Sequence, residues 1–347
     1  MTTPLIDEIH VPERPDIAGL RFRHFRGPVD YAGMAAANQA ARDATGTLDF
    51  VNEESMARQY ATLVNSDVHD DLLIVELGGA IIGYGRVEWR EAIDGPRYVN
   101  AICLLHPDQR RRGIGSAMLA WQERRMLAIA ASLPGDTPSV MRGWTWDGDA
   151  GAGALFERQG WTREGRGYEM IRPTLDDVPD VPLPDHFEIR LVGPADDRRV
   201  WDASAEAFSD ERGEGAWGEG DWERHIADPH RDPSLWAVAF FGDEVAGGVH
   251  GRIDPDENAH HGVQQGLIAG VWTRRPYRRR GLARALLSRV LVLLRDRGMT
   301  SAYLGVDGLN PNQALDLYES LGFRIHTSET DWSKPVPHDA APVEEAP

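Results

Sequence analysis

Tyr277-Arg278-Arg279-Arg280-Gly281-Leu282-Ala283 repeats, with small changes, the earlier run Gln109-Arg110-Arg111-Arg112-Gly113-Ile114-Gly115. A second pair follows in register: Leu155-Phe156-Glu157-Arg158-Gln159-Gly160-Trp161 returns as Leu317-Tyr318-Glu319-Ser320-Leu321-Gly322-Phe323. Upstream, Leu72 to Trp89 reads as two apolar strands about Gly78-Gly79, and Leu235 to Ile253 reads the same way about Gly242-Asp243. Three features recurring in one order, about 160–170 residues apart, make the chain an internal duplication. Its 347 residues suit two units, since compact domains run to roughly 100–200 residues each.

Each copy predicts a strand, helices, a hairpin, a long strand, the glycine loop, a helix, a strand, a helix and a strand, an α/β (α+β) order. In the second copy Glu188 to Leu191 reads as the opening strand, Trp201 to Phe208 as the first helix and Gln265 to Thr273 as the strand entering the loop. Leu282, Leu286, Val290 and Leu293 then form one apolar stripe of a helix that Gly298 ends, and Ser301 to Val306 supplies the next strand. The first copy matches with a helix over Ile114–Ala130 and a strand over Val140–Trp144, behind the longer loop Pro134 to Pro138. The stretch around 175–185, rich in Pro and Asp, reads as a linker between units at 18–174 and 186–335, and 336–347 as a disordered tail.

A glycine loop joining a strand to a helix can hold an anion. The first helical turn has backbone N–H groups without internal partners, the helix dipole adds positive charge, and glycine lets the backbone approach the ligand. Arginines beside it add bidentate geometry suited to phosphate. Neither loop carries the Lys-Ser/Thr of a nucleoside-triphosphate site, so a pyrophosphate that is held and not transferred fits better.

Arg278-x-x-Gly281-x-Ala283 and Arg110-x-x-Gly113-x-Gly115 resemble the pyrophosphate-binding signature of the GCN5-related N-acetyltransferases (GNAT), Gln/Arg-x-x-Gly-x-Gly/Ala. The downstream run Asn310-Pro311-x-x-Ala314-x-x-Leu317-Tyr318-Glu319-x-x-Gly322-Phe323 is similar to the family's next element. With both copies the resemblance covers about Gly19 to Pro335, a layout like that of fused two-domain members such as mycothiol synthase. It implies two tandem domains, each a mixed twisted sheet flanked by helices, with acetyl-CoA wedged where the fourth and fifth strands part. Val271 and Thr273 would then offer backbone groups to the pantetheine, and the amides of Arg279, Arg280, Gly281, Leu282, Ala283 and Arg284 would wrap the pyrophosphate, with Arg278 in the same signature and Asn310, also a cofactor-binding candidate, in the downstream element. In the first copy Cys103 and Leu105 would match the strand groups, and Arg110, Arg111, Arg112, Gly113 and Gly115 the loop, through to Ser116.

Acetyl transfer to an amine needs a base, a donor for the oxyanion and a proton for the leaving thiolate. The resemblance gives that proton to Tyr318 and the oxyanion to an N–H near Val271; the alternative for Tyr318 is a packing role beside Leu317 and Leu321. Where the second copy has Tyr318 the first has Phe156, which carries no proton, and Asp147-Gly148-Asp149 stands where the second has its Asn-Pro element. Turnover is therefore expected in the second copy. The family's strand glutamate has no counterpart in Gln265–Thr273, which leaves Asp307, His250, His260 and His261 as candidate bases. His260-His261 lacks the spacing of a metal site and reads as a solvated loop, so no metal is expected.

One cysteine, Cys103, excludes an internal disulfide and a thiolate cluster, and its apolar surroundings make it a core residue in a reducing cytoplasm. The N-terminal residues lack the pattern of a signal peptide, and no run of about 20 apolar residues occurs. A net charge of −18 argues against nucleic-acid and membrane partners and favours a small cationic amine. The leading expectation is an acetyl-CoA-dependent N-acetyltransferase, monomeric or homodimeric. A non-catalytic acyl-CoA-binding sensor and a mycothiol-synthase-like enzyme are the alternatives, though no motif demands a cysteinyl sugar.

Overall fold

A computed structural model describes residues 7–93, 95–209, 217–308 and 314–337 of the chain. Asn310 and the tail beyond Pro337 lie outside them. The first repeat begins with β1 (Leu20–Arg23) and helices α1 (Tyr31–Asp43) and α2 (Glu53–Ala61). At the start of α2, Asn52 and Ser55 cap each other's amides. The hairpin of β2 (Leu72–Leu77) and β3 (Ala80–Glu91) turns on Gly78 and Gly79, both at positive φ, as such a two-residue turn demands. Then come β4 (Arg97–Leu105), α3 (Ile114–Ser132), β5 (Ser139–Trp146), α4 (Ala150–Arg158) and β6 (Thr162–Arg172).

The second repeat gives β7 (Phe187–Arg190), α5 (Asp197–Phe208), α6 (Glu219–Ala227), β8 (Trp236–Phe241) and β9 (Glu244–Arg252). After these, α7 (Pro255–His261) is a helix where the sequence reading has a loop. The reason is local: Asp254 accepts from the amides of Asp256 and Glu257, Pro255 occupies the first turn, and Gly262 closes the end at φ 66°. The order continues with β10 (Gln265–Thr273), α8 (Leu282–Asp296), β11 (Ser301–Asp307), α9 (Ala314–Ser320) and β12 (Arg324–Pro335). Leu282, Leu286 and Val290 bury the inner face of α8 as the stripe requires, but Leu294 and not Leu293 is its fully buried last member. Gly298, at φ 85°, follows the last turn.

The chain forms two units, residues 1–166 with 329–347 and residues 167–328. In the first, the strand order is β1-β2-β3-β4-β5-β12; in the second it is β6-β11-β10-β9-β8-β7. Both sheets are mixed. The β4–β5 and β10–β11 pairs are parallel, and the other neighbours within each unit are antiparallel. Each unit thus takes its last strand from the other repeat, whereas the division at 18–174 and 186–335 keeps it with its own. Backbone pairing is indifferent to which copy supplies an edge strand, so a repeat in sequence leaves this choice open. In the first unit β12 inserts Trp332, 1% exposed, which donates to the Thr145 hydroxyl at 2.9 Å and lies 5.6 Å from the Phe156 ring. In the second, β6 contributes the fully buried Met170 and Arg172, whose guanidinium donates to the Leu321 carbonyl and to Asp177.

Residues 175–185 form neither helix nor strand, but they are held down. Leu175 is 1% exposed and donates to the Thr300 carbonyl, and Val178, Val181 and Leu183 pack on the second unit's core. Val336, at the head of the expected disordered tail, donates to the Ser139 carbonyl. Among the described residues no helix is long and apolar enough to cross a membrane.

Candidate functional site

Strands β10 and β11 pair only through Gln265–Leu267 and Ser301–Tyr303, and both continue unpaired with each other toward Thr273 and Asp307. The sheet forks there. A turn over Arg275–Tyr277 carries β10 into the loop, where Arg279 (φ 60°) and Gly281 (φ 80°) adopt left-handed backbone and α8 begins. A Cβ on Gly281 would meet no protein atom within 4 Å, so the space over the first-turn amides of α8 is open. A cavity of about 470 Å³ extends from this loop into the fork, a volume within the range of small-ligand sites.

Val271, Thr273, Arg278, Arg279 and Gly281 line this cavity, as do Leu282, Ala283 and Arg284. Arg280 does not. Its guanidinium turns back to donate to the Pro276 carbonyl at 3.1 Å. Arg278 lies at the cavity wall but ties β10 to α5, donating to the Thr273 carbonyl at 2.8 Å and the Ala207 carbonyl at 3.2 Å. Asn310 falls outside the described residues.

Tyr318, 7% exposed on α9, forms part of the cavity wall, with its ring 6.0 Å from that of Phe323. Asp307 lines the same cavity. Trp272, not singled out in the sequence, also reaches it and has a buried indole N–H without a partner among the described residues.

His250 stands apart, in a smaller cavity that shares Phe208, Ala269 and Gly270 with the large one. Burial, and secondarily the charges of His225 and Arg231, push it down to about 3, so at neutral pH the ring is uncharged and a weak base. His260 and His261 end α7 and line neither cavity. No group of three metal-ligating side chains occurs among the described residues.

The first unit repeats the fork. β4 and β5 pair over Arg97–Ala101 and Ser139–Gly143, and a cavity of about 490 Å³ opens beyond. Leu105, Arg110, Arg111, Gly113 and Gly115 line it, whereas Arg112 does not and is bonded to Gln109. Cys103 reaches the cavity too, but burial pushes its thiol up to about 12, which keeps it protonated at neutral pH. Phe156 occupies the place that Tyr318 holds in the second unit, stacked edge-on against Trp161 at 5.0 Å.

Two further differences separate the loops. Arg110 is paired with Asp149 at 3.0 Å, and a Cβ on Gly113 would meet Pro15 at 3.4 Å, where Gly281 has open space. Pro15 belongs to an arm held to α3 by the Glu13–Arg124 pair at 2.7 Å.

The model of the Acetyltransferase (GNAT) family matches residues 37–161 and again 198–323. The mycothiol acetyltransferase of Geodermatophilus obscurus is 28% identical over 311 residues, covering 88% of this chain and 95% of its own. That of Thermomonospora curvata is 32% identical over 262 residues, covering 75% and 81%. Among solved structures, a GCN5-related N-acetyltransferase from Sphaerobacter thermophilus superposes with a TM-score of 0.71 at 24% identity, over 92% of this chain and 96% of that one. A tandem GNAT protein from the clavulanic acid biosynthesis pathway does so with a TM-score of 0.65 at 15% identity, covering 92% of this chain and all of its own.

Proposed function

The chain belongs to the GNAT acetyltransferase family, and from that premise we propose that it acetylates a small amine with acetyl-CoA, and that transfer takes place in the fork of the second unit. The observation carrying this reading is the pairing of an open anion cradle at Gly281 with a phenol, Tyr318, on the wall of one cavity.

The cradle suits a CoA pyrophosphate: left-handed backbone at Arg279 and Gly281, free space above Gly281, and exposed Arg279 and Arg284 at the helix start. When bound, acetyl-CoA supplies an activated acetyl thioester. Val271 and Thr273 extend backbone groups along the fork, where an N–H of β10 can meet negative charge developing on the thioester carbonyl. Tyr318 donates its phenolic proton to the departing sulfur. Asp307 is the carboxylate on the same wall placed to draw a proton from the amine through water. The first unit keeps the fold and a cavity but has Phe156 at the acid position, so its part in this reading is structural or ligand-binding.

The test is Tyr318→Phe. General acid assistance is typically worth about 10²–10⁴-fold, so kcat should fall by a factor in that range with acetyl-CoA affinity unchanged. An unaltered kcat would remove Tyr318 from the chemistry. A second reading, mycothiol acetyltransferase activity itself, is favoured by the name the curated relatives carry. Acetyl transfer by the wild-type chain to a panel of amines that includes the substrate of those enzymes decides it.

A further inference from the structure

The smaller cavity of the second unit, about 170 Å³, is walled by rings. Trp201 of α5 lies 4.7 Å from Trp217 and 4.8 Å from His225 of α6, and Phe208 stacks on Trp217 at 5.5 Å. On the strand side Trp236 stacks on His250 at 4.2 Å. The volume is comparable to the ~150 Å³ cavity known to admit a benzene ring. Its junction with the large cavity falls at Ala269 and Gly270, where a bulge interrupts the pairing of β10 with β9. A bulge re-aims the backbone, and here it stands between the ring-walled cavity and the fork.

The polar groups of this cavity are what set it apart from an ordinary aromatic core. His250 and Arg252, two residues apart on one face of β9, both line it. His250 Nε2 and Arg252 Nε are buried and have no hydrogen-bond partner among the described residues. Both residues line the cavity, so their side chains are the polar surface that a substituent on a ligand's ring would meet. The nearby charges are otherwise engaged: Arg231 lies over the Trp236 ring at 4.8 Å and is bonded to Asp197. Arg252 is 3.9 Å from both Asp228 and Asp254, beyond hydrogen-bond length.

We infer that this cavity is the acceptor pocket and that it selects an arylalkylamine, a primary amine on a short chain carrying a single flat ring with a hydroxyl or ring nitrogen. The ring packs against the cavity-lining edges of Trp201, Trp217 and Trp236, its polar atom meets the side chains of His250 and Arg252, and the amine end reaches the fork at the β10 bulge. The inference rests on the acetyl-transfer reading for what happens to the amine, but not for whether the ring binds.

Titration calorimetry of the full chain with tyramine and with hexylamine tests it, alongside a separate measurement of acetyl-CoA binding and turnover. Tyramine should bind at least about tenfold more tightly than hexylamine. Trp201→Ala should erase most of that preference while acetyl-CoA affinity stays as in the wild type. Trp217→Ala, outside the helices, serves the same purpose should the α5 change disturb folding. Equal affinity for the two amines in the wild type, or a preference untouched in a folded Trp201→Ala or Trp217→Ala chain, would overturn the assignment. A ring preference retained in a protein that neither binds nor turns over acetyl-CoA would support the pocket and count against acetyl transfer.

Discussion

Glu329 shows how one side chain can report on the strand that carries it. It sits on β12 opposite Trp146, in the first unit, among acidic neighbours. Burial, and then the carboxylates of Asp331, Asp49 and Asp147, push it up to about 7 against the opposing pull of Arg42. A carboxyl whose folded pKa is raised stabilises the fold below its unfolded value near 4.5, and that contribution is lost as pH rises through about 7. Glu329→Gln mimics the neutral acid and should therefore raise the melting temperature of the protein at pH 8, with the gain shrinking toward pH 5. A gain independent of pH, or none at pH 8, would show that the carboxylate is solvated. At the same scale, Tyr318 and Phe156 differ by one oxygen, and the proposed division of labour between the units hangs on that atom.

At the scale of elements, the last strands decide how the units are built. Trp332 of β12 is fully buried against Phe156 and Thr145. Trp332→Ala should cost about 3–5 kcal/mol, as large aromatic truncations in cores do. Hydrogen exchange should localise the loss to β4, β5 and α3 of the first unit, leaving α8 and β10 protected. Protection lost equally in both units would contradict the assignment of β12 to the first.

The sequence is legible up to this level and not beyond it. The duplication, the hairpins about Gly78-Gly79 and Gly242-Asp243, and the strand–loop–helix at Gly281 are written in local periodicity and glycine placement, which is why they can be read directly. The exchange of β6 and β12 is not, because strand pairing runs through the backbone and leaves no residue code. In α7 the cap signals Asp254-Pro255 and Gly262 stand in the sequence, but seven residues are too few to show a helical period between them. Arg112 and Arg280 line neither cavity because their guanidinium groups are taken up locally, by Gln109 and by the Pro276 carbonyl, contacts that residue type alone does not reveal. The ring-walled pocket escapes notice because its parts lie on α5, α6, β8 and β9, far apart in sequence.

Across the whole molecule, one duplicated fold carries two unequal sites. Both units have a forked sheet, a left-handed glycine loop and cavities of about 470 and 490 Å³, so size alone does not tell them apart. The difference lies in Tyr318 against Phe156, in the open space over Gly281 against Pro15 beside Gly113, and in the Arg110–Asp149 pair. A net charge of −18 supports the approach of a cationic amine in either case. The two glycines, at φ 80° and 86°, offer a matched pair of substitutions, since glutamate at either strains the backbone similarly and sets a negative charge on the helix start. The most direct measurement is steady-state acetyl transfer by the Gly281→Glu and Gly113→Glu chains. The account predicts that Gly281→Glu loses turnover and acetyl-CoA binding in the second unit, while Gly113→Glu keeps kcat near the wild type. Activity abolished by Gly113→Glu and retained by Gly281→Glu would place the reaction in the first unit and contradict it.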